Sequence, residues 1–329
     1  MMNYTFYILI FLFFGCKKDN SEYQQLNGFA LGSSFSITYE SLEEGNYEKQ
    51  IDSLINGINA SLSTYIPDSD ISKINDGDTT VVVDGYFMEV FSKSKKIFKE
   101  TDGAFDPSVG VLVNAWGFGP ENEIASLDSA KIRFLLRRVG FDKVSIQKGK
   151  VVSAVDSVYL DFNAIGPGYL ADVIGRYLER KNVKNYLIEI GGEIRTRGVN
   201  DKGKLWKIAI EKPNFDETRS IQTLLSMNNE ALATSGNYRK FKIDEITGNR
   251  YAHTMDSKTG YPSKNSLLSA SVIASQDCAD VDGYATALMA MGFERSKIFL
   301  KEHPELKAFL IYDDSGEMKT FQTDNLQTD

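Results

Sequence analysis

An α+β fold with mixed, largely antiparallel sheets and packed helices is predicted for this chain, on three observations. Strand-like segments follow one another through its second half with few crossover helices between them. Amphipathic helical patterns cluster in the first half and again near the C-terminus. No glycine fingerprint of a Rossmann or P-loop unit is present. The 329 residues are 42% hydrophobic and 12% aromatic, enough for a sizeable core.

Residues 1–15 read as a signal segment. The apolar run 4–14 is too short to cross a bilayer and suits the core of an export signal. It ends in Phe13-Phe14-Gly15-Cys16, and a cysteine after a small residue at that place resembles a lipoprotein signal, with cleavage before Cys16 and acylation of that residue. Phe13 stands where Leu is usual, and no Lys or Arg precedes the run; a plain signal peptide or a short membrane anchor is the alternative. Residues 16–26 then form a polar tether, and 27–324 the main domain. Cys16 and Cys278 are the only cysteines, so acylation of the first leaves no disulfide.

Along the domain, residues 29–40 alternate as one strand with Phe35, Ile37 and Tyr39 on one side. Ile51, Leu54, Ile55, Ile58 and Leu62 recur at helical spacing; further helices are expected at 85–100 and 129–139, the latter stopped by Gly140. Strands follow near Val144 and Val151 and at 158–162, then a helix marked by Leu170, Val173, Ile174, Tyr177 and Leu178. Strands are expected at 186–190, 194–199, 206–210, 221–225, 250–255 and 269–273, helices at 279–291 and 294–302, and last strands at 308–312 and 318–322.

The net charge is −8, which argues against nucleic acid and against an anionic membrane surface as partners. A phosphate-bearing ligand would need a metal ion or aimed backbone N–H groups. Asp282 and Thr286 lie four apart on one helix face, a carboxylate and a hydroxyl suited to a hard cation such as Mg²⁺; spacing alone favours an N-terminal cap and a surface threonine. The run Asp161-Phe162-Asn163-Ala164-Ile165-Gly166-Pro167-Gly168-Tyr169 joins a strand to a helix, either to bring a phosphate to the helix N-terminus or as a tight turn. In Glu189-Ile190-Gly191-Gly192-Glu193 the paired glycines make a hairpin turn or admit a flat ring, the turn being the commoner explanation. In Gly103-Ala104-Phe105-Asp106-Pro107, Asp106 caps a turn or holds a ligand. His253 is a candidate general base or a bonded core histidine, and His303, among charges, reads as a surface residue.

Taken in order, these blocks together with Leu31-Gly32-Ser33-Ser34-Phe35, Ser63-Thr64-Tyr65-Ile66-Pro67-Asp68-Ser69 with Asn75, and Ala233-Thr234-Ser235-Gly236-Asn237-Tyr238 resemble the ApbE family of FAD:protein FMN transferases over almost all of the mature length. The resemblance implies that Asp282 and Thr286 are Mg²⁺ ligands, with the backbone carbonyl of Ala164 a third. It implies that Tyr65 stacks on the isoalloxazine ring, that Leu31, where Met is usual, lines the flavin pocket, and that Ala104, Phe105, Asp106, Asp161 and Thr254 contact FAD. His253 matches a histidine implicated in catalysis. Pro167 stands at a contact position where Lys is common, and Val281 replaces a small residue before the metal-binding Asp.

The implied activity is Mg²⁺-dependent transfer of the FMN moiety of FAD to a Thr or Ser hydroxyl of an exported redox protein, with release of AMP. A pyrophosphatase giving FMN and AMP, and a lipoprotein that only binds flavin, are the alternatives. The implied location is a periplasm-facing membrane lipoprotein, at the inner rather than the outer membrane.

Overall fold

A computed structural model of the chain describes residues 22–41, 46–121, 127–214, 216, 218–237, 241–243 and 250–329, with backbone only for 241–243, 250 and 251. The expected signal segment, Cys16, the start of the tether and Tyr238 lie outside the described residues.

The centre is one eight-stranded sheet. Across it run β1 (Tyr23–Ala30), β2 (Ser33–Glu40), β5 (Tyr186–Ile190), β6 (Glu193–Arg197), β9 (Ala231–Gly236), β12 (Leu267–Ala274), β13 (Lys307–Asp314) and β14 (Glu317–Gln322), in that spatial order. Every neighbouring pair is antiparallel, as the α+β reading expected. Among the described residues three two-stranded pairs stand outside it: β3 (Val144–Gln147) with β4 (Lys150–Ser153), β7 (Trp206–Glu211) with β8 (Ile221–Met227), and β10 (Phe241–Ile243) with β11 (Arg250–Ala252).

The helices are α1 (Glu48–Leu62), α2 (Asp70–Asn75), α3 (Gly85–Glu100), α4 (Gly110–Ala115), α5 (Ser129–Leu136), α6 (Gly166–Arg180), α7 (Cys278–Met291) and α8 (Phe293–Glu302). Alternation along the strands separates two cores. Ala270, Val272, Ala308 and Leu310 face the helical layer, whereas Ile273, Phe309 and Ile311 pack under the β7–β8 hairpin with Leu326. The helix α7 is apolar nearly all round and buried along most of its length, as a central helix must be. Gly168 allows α6 to cross it closely: a Cβ there would lie 2.6 Å from the Cys278 carbonyl oxygen.

Four expectations are corrected. Residues 29–40 are not one strand but the end of β1, a two-residue turn and β2. Leu31 and Gly32 both take positive φ, 51° and 74°, the mirror-image turn that matches strand twist. Residues 23–26, expected in the tether, belong to β1, which begins at Tyr23, whose hydroxyl donates to the Val199 carbonyl at 2.8 Å. Residues 158–162 make only an isolated bridge, Val109 to Tyr159. There the Asn75 side chain takes the place of a neighbouring strand, donating to the Leu160 carbonyl at 2.9 Å and accepting from the Leu160 N–H at 2.7 Å. The strand expected at 250–255 stops at Ala252, and a bridge between Met255 and Pro262 closes the loop that follows.

Candidate functional site

A cleft of about 870 Å³ opens beside the β1–β2 turn. Leu31, Tyr65, Ala104, Phe105, Asp106, Asp161, Ala164, Pro167, His253, Thr254, Asp282 and Thr286, separated along the chain, all line it. Cys16 lies outside the described residues.

Each segment is fixed by local bonding. The Asp161 carboxylate accepts from the Asn163 N–H at 2.8 Å, and the Asn163 side chain donates to the Thr64 hydroxyl at 3.3 Å, tying the turn before α6 to the segment that carries Tyr65. Tyr65 is 55% exposed, and partial burial together with nearby Asp161 pushes its phenol up from the ordinary value. One oxygen of Asp106 accepts from the N–H and the hydroxyl of Ser108, at 2.8 and 2.6 Å, so this residue both caps its turn and faces the cleft. Burial pushes its carboxyl up. Thr254 is buried and its hydroxyl donates to Asn237 at 3.2 Å. The His253 ring stands edge-on to Phe118, with centroids 6.4 Å apart.

Phosphate binding at the start of α6 is not available as that turn first suggested. The Gly166 N–H bonds Phe162, Pro167 has none, the Gly168 N–H bonds Asp282 and the Tyr169 N–H bonds Ile165. The side chains add no cation either. Asp106, Asp161, Glu193 and Asp282 line the cleft, and among the described residues no Lys or Arg does.

Two carboxylates in the first turns of α7 differ in their partners. Asp280 pairs with Lys93 at 2.7 Å. Asp282 is 5% exposed and accepts one bond, from the Gly168 N–H at 3.1 Å, with no Lys or Arg beside it among the described residues. Burial, and then the charge of Asp172, push its carboxyl up to about 7. One turn on, the Thr286 hydroxyl lies 3.2 Å from that of Ser235 on β9. An uncompensated carboxylate, a hydroxyl and a carbonyl in an acidic cleft fit a hard divalent cation. Among the described residues no cluster of three His, Cys, Asp or Glu side chains exists.

Glu193 and Ser235 also line the cleft, though sequence reasoning gave them no role. Both lay in the blocks quoted above; the hairpin turn at Gly191 and Gly192, with φ of 67° and 112°, is what carries Glu193 there.

The ApbE family profile matches residues 31–310. Among curated proteins the chain is similar to the FAD:protein FMN transferase of Haemophilus influenzae, 33% identical over 312 residues, covering 90% of this chain and 88% of that one. It is 35% identical over 293 residues to the protein of that name from Vibrio cholerae, covering 87% and 86%. Among solved structures, the flavin transferase ApbE from Vibrio cholerae matches with a TM-score of 0.83 at 30% identity, over 92% of this chain and 98% of that chain.

Proposed function

The chain belongs to the ApbE family and is a transferase, and on that premise we propose that it moves the FMN moiety of FAD onto a Thr or Ser hydroxyl of an exported redox protein, with Mg²⁺ as cofactor and AMP as the product released. The observation that carries this reading is that one cleft is lined by all of the residues that the family resemblance picks out and, among the described residues, by no Lys or Arg to meet a diphosphate.

Tyr65 offers the face on which the isoalloxazine ring stacks, and Leu31 an apolar wall beside it. Asp106, Asp161 and Thr254 orient the rest of the dinucleotide through hydrogen bonds. Asp282, the Thr286 hydroxyl and the Ala164 carbonyl would hold Mg²⁺, which supplies counter-charge for the diphosphate and for the departing AMP. The acceptor's hydroxyl oxygen forms the new bond to the FMN-side phosphorus, and the bond from that phosphorus to the bridging oxygen breaks. The bridging oxygen leaves with AMP. His253 takes the hydroxyl proton on a ring nitrogen and passes it to solvent. An acylated Cys16 would tether the enzyme at the membrane, facing the periplasm; the run 4–16 supports that placement.

The test is purified protein with FAD and Mg²⁺, with and without an envelope extract as the source of acceptor. AMP release only with the extract, accompanied by flavin fixed to protein, is the expected result. AMP release without it makes the chain a pyrophosphatase, and no AMP in either case makes it a flavin binder.

A further inference from the structure

The strand β1 is one edge of the eight-stranded sheet, and among the described residues it has none of the usual edge protection. Its sequence, Tyr-Gln-Gln-Leu-Asn-Gly-Phe-Ala, carries no charge and no proline. Its register with β2 runs unbroken, whereas the β7–β8 and β12–β13 pairs both contain irregularities. The opposite edge, β14, carries Glu317 and Lys319.

The two-residue turn fixes which backbone groups of β1 are open. The pair closing such a turn, Ala30 with Ser33, exchanges both of its bonds, and the pattern then alternates. Leu26, Gly28 and Ala30 therefore face β2. The far end agrees, because the Ser41 N–H donates to the Glu22 carbonyl at 2.6 Å, keeping the even positions inward. The N–H and C=O groups of Tyr23, Gln25, Asn27 and Phe29 point away from the sheet, and among the described residues no strand takes them up.

This open row runs into the cleft. Phe29 is 85% exposed and lines the cleft mouth together with Ala30 and Leu31. An extended chain laid along β1 would satisfy the outward groups, cover the Phe29 ring and bring a side-chain hydroxyl to the cleft at the Phe29 end. We propose that the edge of β1 receives the hydroxyl-bearing segment of the acceptor protein as an added antiparallel or parallel strand, and that this pairing delivers the segment to the flavin site. The inference rests on the transfer reading above. It explains how one enzyme can recognise its acceptor mainly by backbone pairing, with the side chains read only near the cleft.

The test is Asn27→Pro, with Gln25→Pro as its companion. Proline removes an outward N–H and leaves the β1–β2 ladder whole, as edge strands tolerate. Transfer is read as in-gel flavin fluorescence after incubating wild type or variant with FAD, Mg²⁺ and the envelope extract of cells lacking the gene. At limiting extract, each variant should label about three- to tenfold more slowly, the effect of one lost hydrogen bond, while FAD affinity and the Mg²⁺ response of the melt stay at the wild-type values. Should the proline variants lose a cooperative melt, Asn27→Lys keeps every N–H, charges the edge, and should slow labelling likewise. Wild-type labelling rates in the folded variants overturn the edge proposal alone. Absence of labelling by the wild type overturns the transfer reading and the edge proposal with it. A wild-type dimer in sedimentation that Asn27→Pro splits gives the edge to a second copy of the chain, and also overturns the proposal.

Discussion

Asp172 and Asp282 each accept hydrogen bonds from the first turn of the helix that carries the other. Asp172 on α6 accepts from the N–H groups of Cys278 and Ala279, at 2.8 and 2.9 Å, and Asp282 on α7 accepts from that of Gly168, at 3.1 Å. The two differ in charge compensation. Asp172 pairs with Arg195, which also reaches Asp277 at 2.9 Å, and burial brings its carboxyl up to about 6. Among the described residues Asp282 has no such partner, and its carboxyl rises further. The first is a finished structural cap. The second is held in place by a single backbone bond.

Asp282→Ala should reduce flavin transfer to background, and Thr286→Ala should do less damage, since water can replace a hydroxyl ligand. Both variants should retain a cooperative melt. The measurement is flavin attached to acceptor across a Mg²⁺ series, and near-wild-type transfer by folded Asp282→Ala would remove the residue from the site.

In EDTA, stability should fall as pH rises. A carboxyl with a folded pKa of about 7 against the ordinary 3.8 favours the folded state while protonated; that contribution is complete below about pH 4 and is lost as pH climbs through about 7. Asp172 contributes with the same sign, so the informative quantity is wild type against Asp282→Asn. Denaturant melts from pH 4 to 8 should show a shallower slope in the variant, and Mg²⁺ should restore wild-type stability at the alkaline end.

Tyr65→Ala should weaken FAD binding about threefold to tenfold, the equivalent of roughly 0.5–1.5 kcal/mol of stacking, with burial loss in addition. Mg²⁺ affinity should change less. Flavin fluorescence titration reads the first and the metal-dependent melt the second; equal FAD affinities would exclude Tyr65 from the ring site.

Gly168→Ala should cost about 1–3 kcal/mol, because the new methyl must displace the Cys278 peptide and part α6 from α7. The same displacement moves the N–H that holds Asp282, so Mg²⁺ stabilisation should shrink along with the denaturation midpoint. An unchanged midpoint would show that the crossing has slack.

Cys16→Ser should release the protein from membranes, since stable anchoring takes more than one acyl chain and the substitution removes their attachment point. Retention after a salt wash would rule out acylation at Cys16 as the anchor.

Much of the fold was legible where a period is long. The helix α3 matches its expected span, with Phe87, Val90 and Ile97 buried and Asp84 capping the start at 2.8 Å. The strand β5 also matches, its burial alternating residue by residue. The helices α2 and α4, six residues each, are too short for periodicity to show. The strand β9, Ala-Leu-Ala-Thr-Ser-Gly, has weak strand character of its own and is held by β6 and β12. The turn at Leu31 hid because leucine rarely adopts positive φ, at a cost of about 1–2 kcal/mol. The residues that line the cleft stood out only when the blocks were taken in sequence order, since Asp106, the turn before α6 and Asp282 are each matched alone by a turn or cap. The bracing of Leu160 by Asn75, 85 positions away, has no local signal at all.

The spatial order of the sheet rises steadily with chain order, from β1 to β14, and no later strand is inserted between two earlier ones. A chain that appears N-terminus first can therefore build the sheet by accretion, each strand docking on the side most recently completed, without reopening a pair already made. Growth in one direction also means that, among the described strands, none that follows competes for the starting side. The edge from which assembly begins is the one that persists, uncovered by the sheet itself, in the finished molecule.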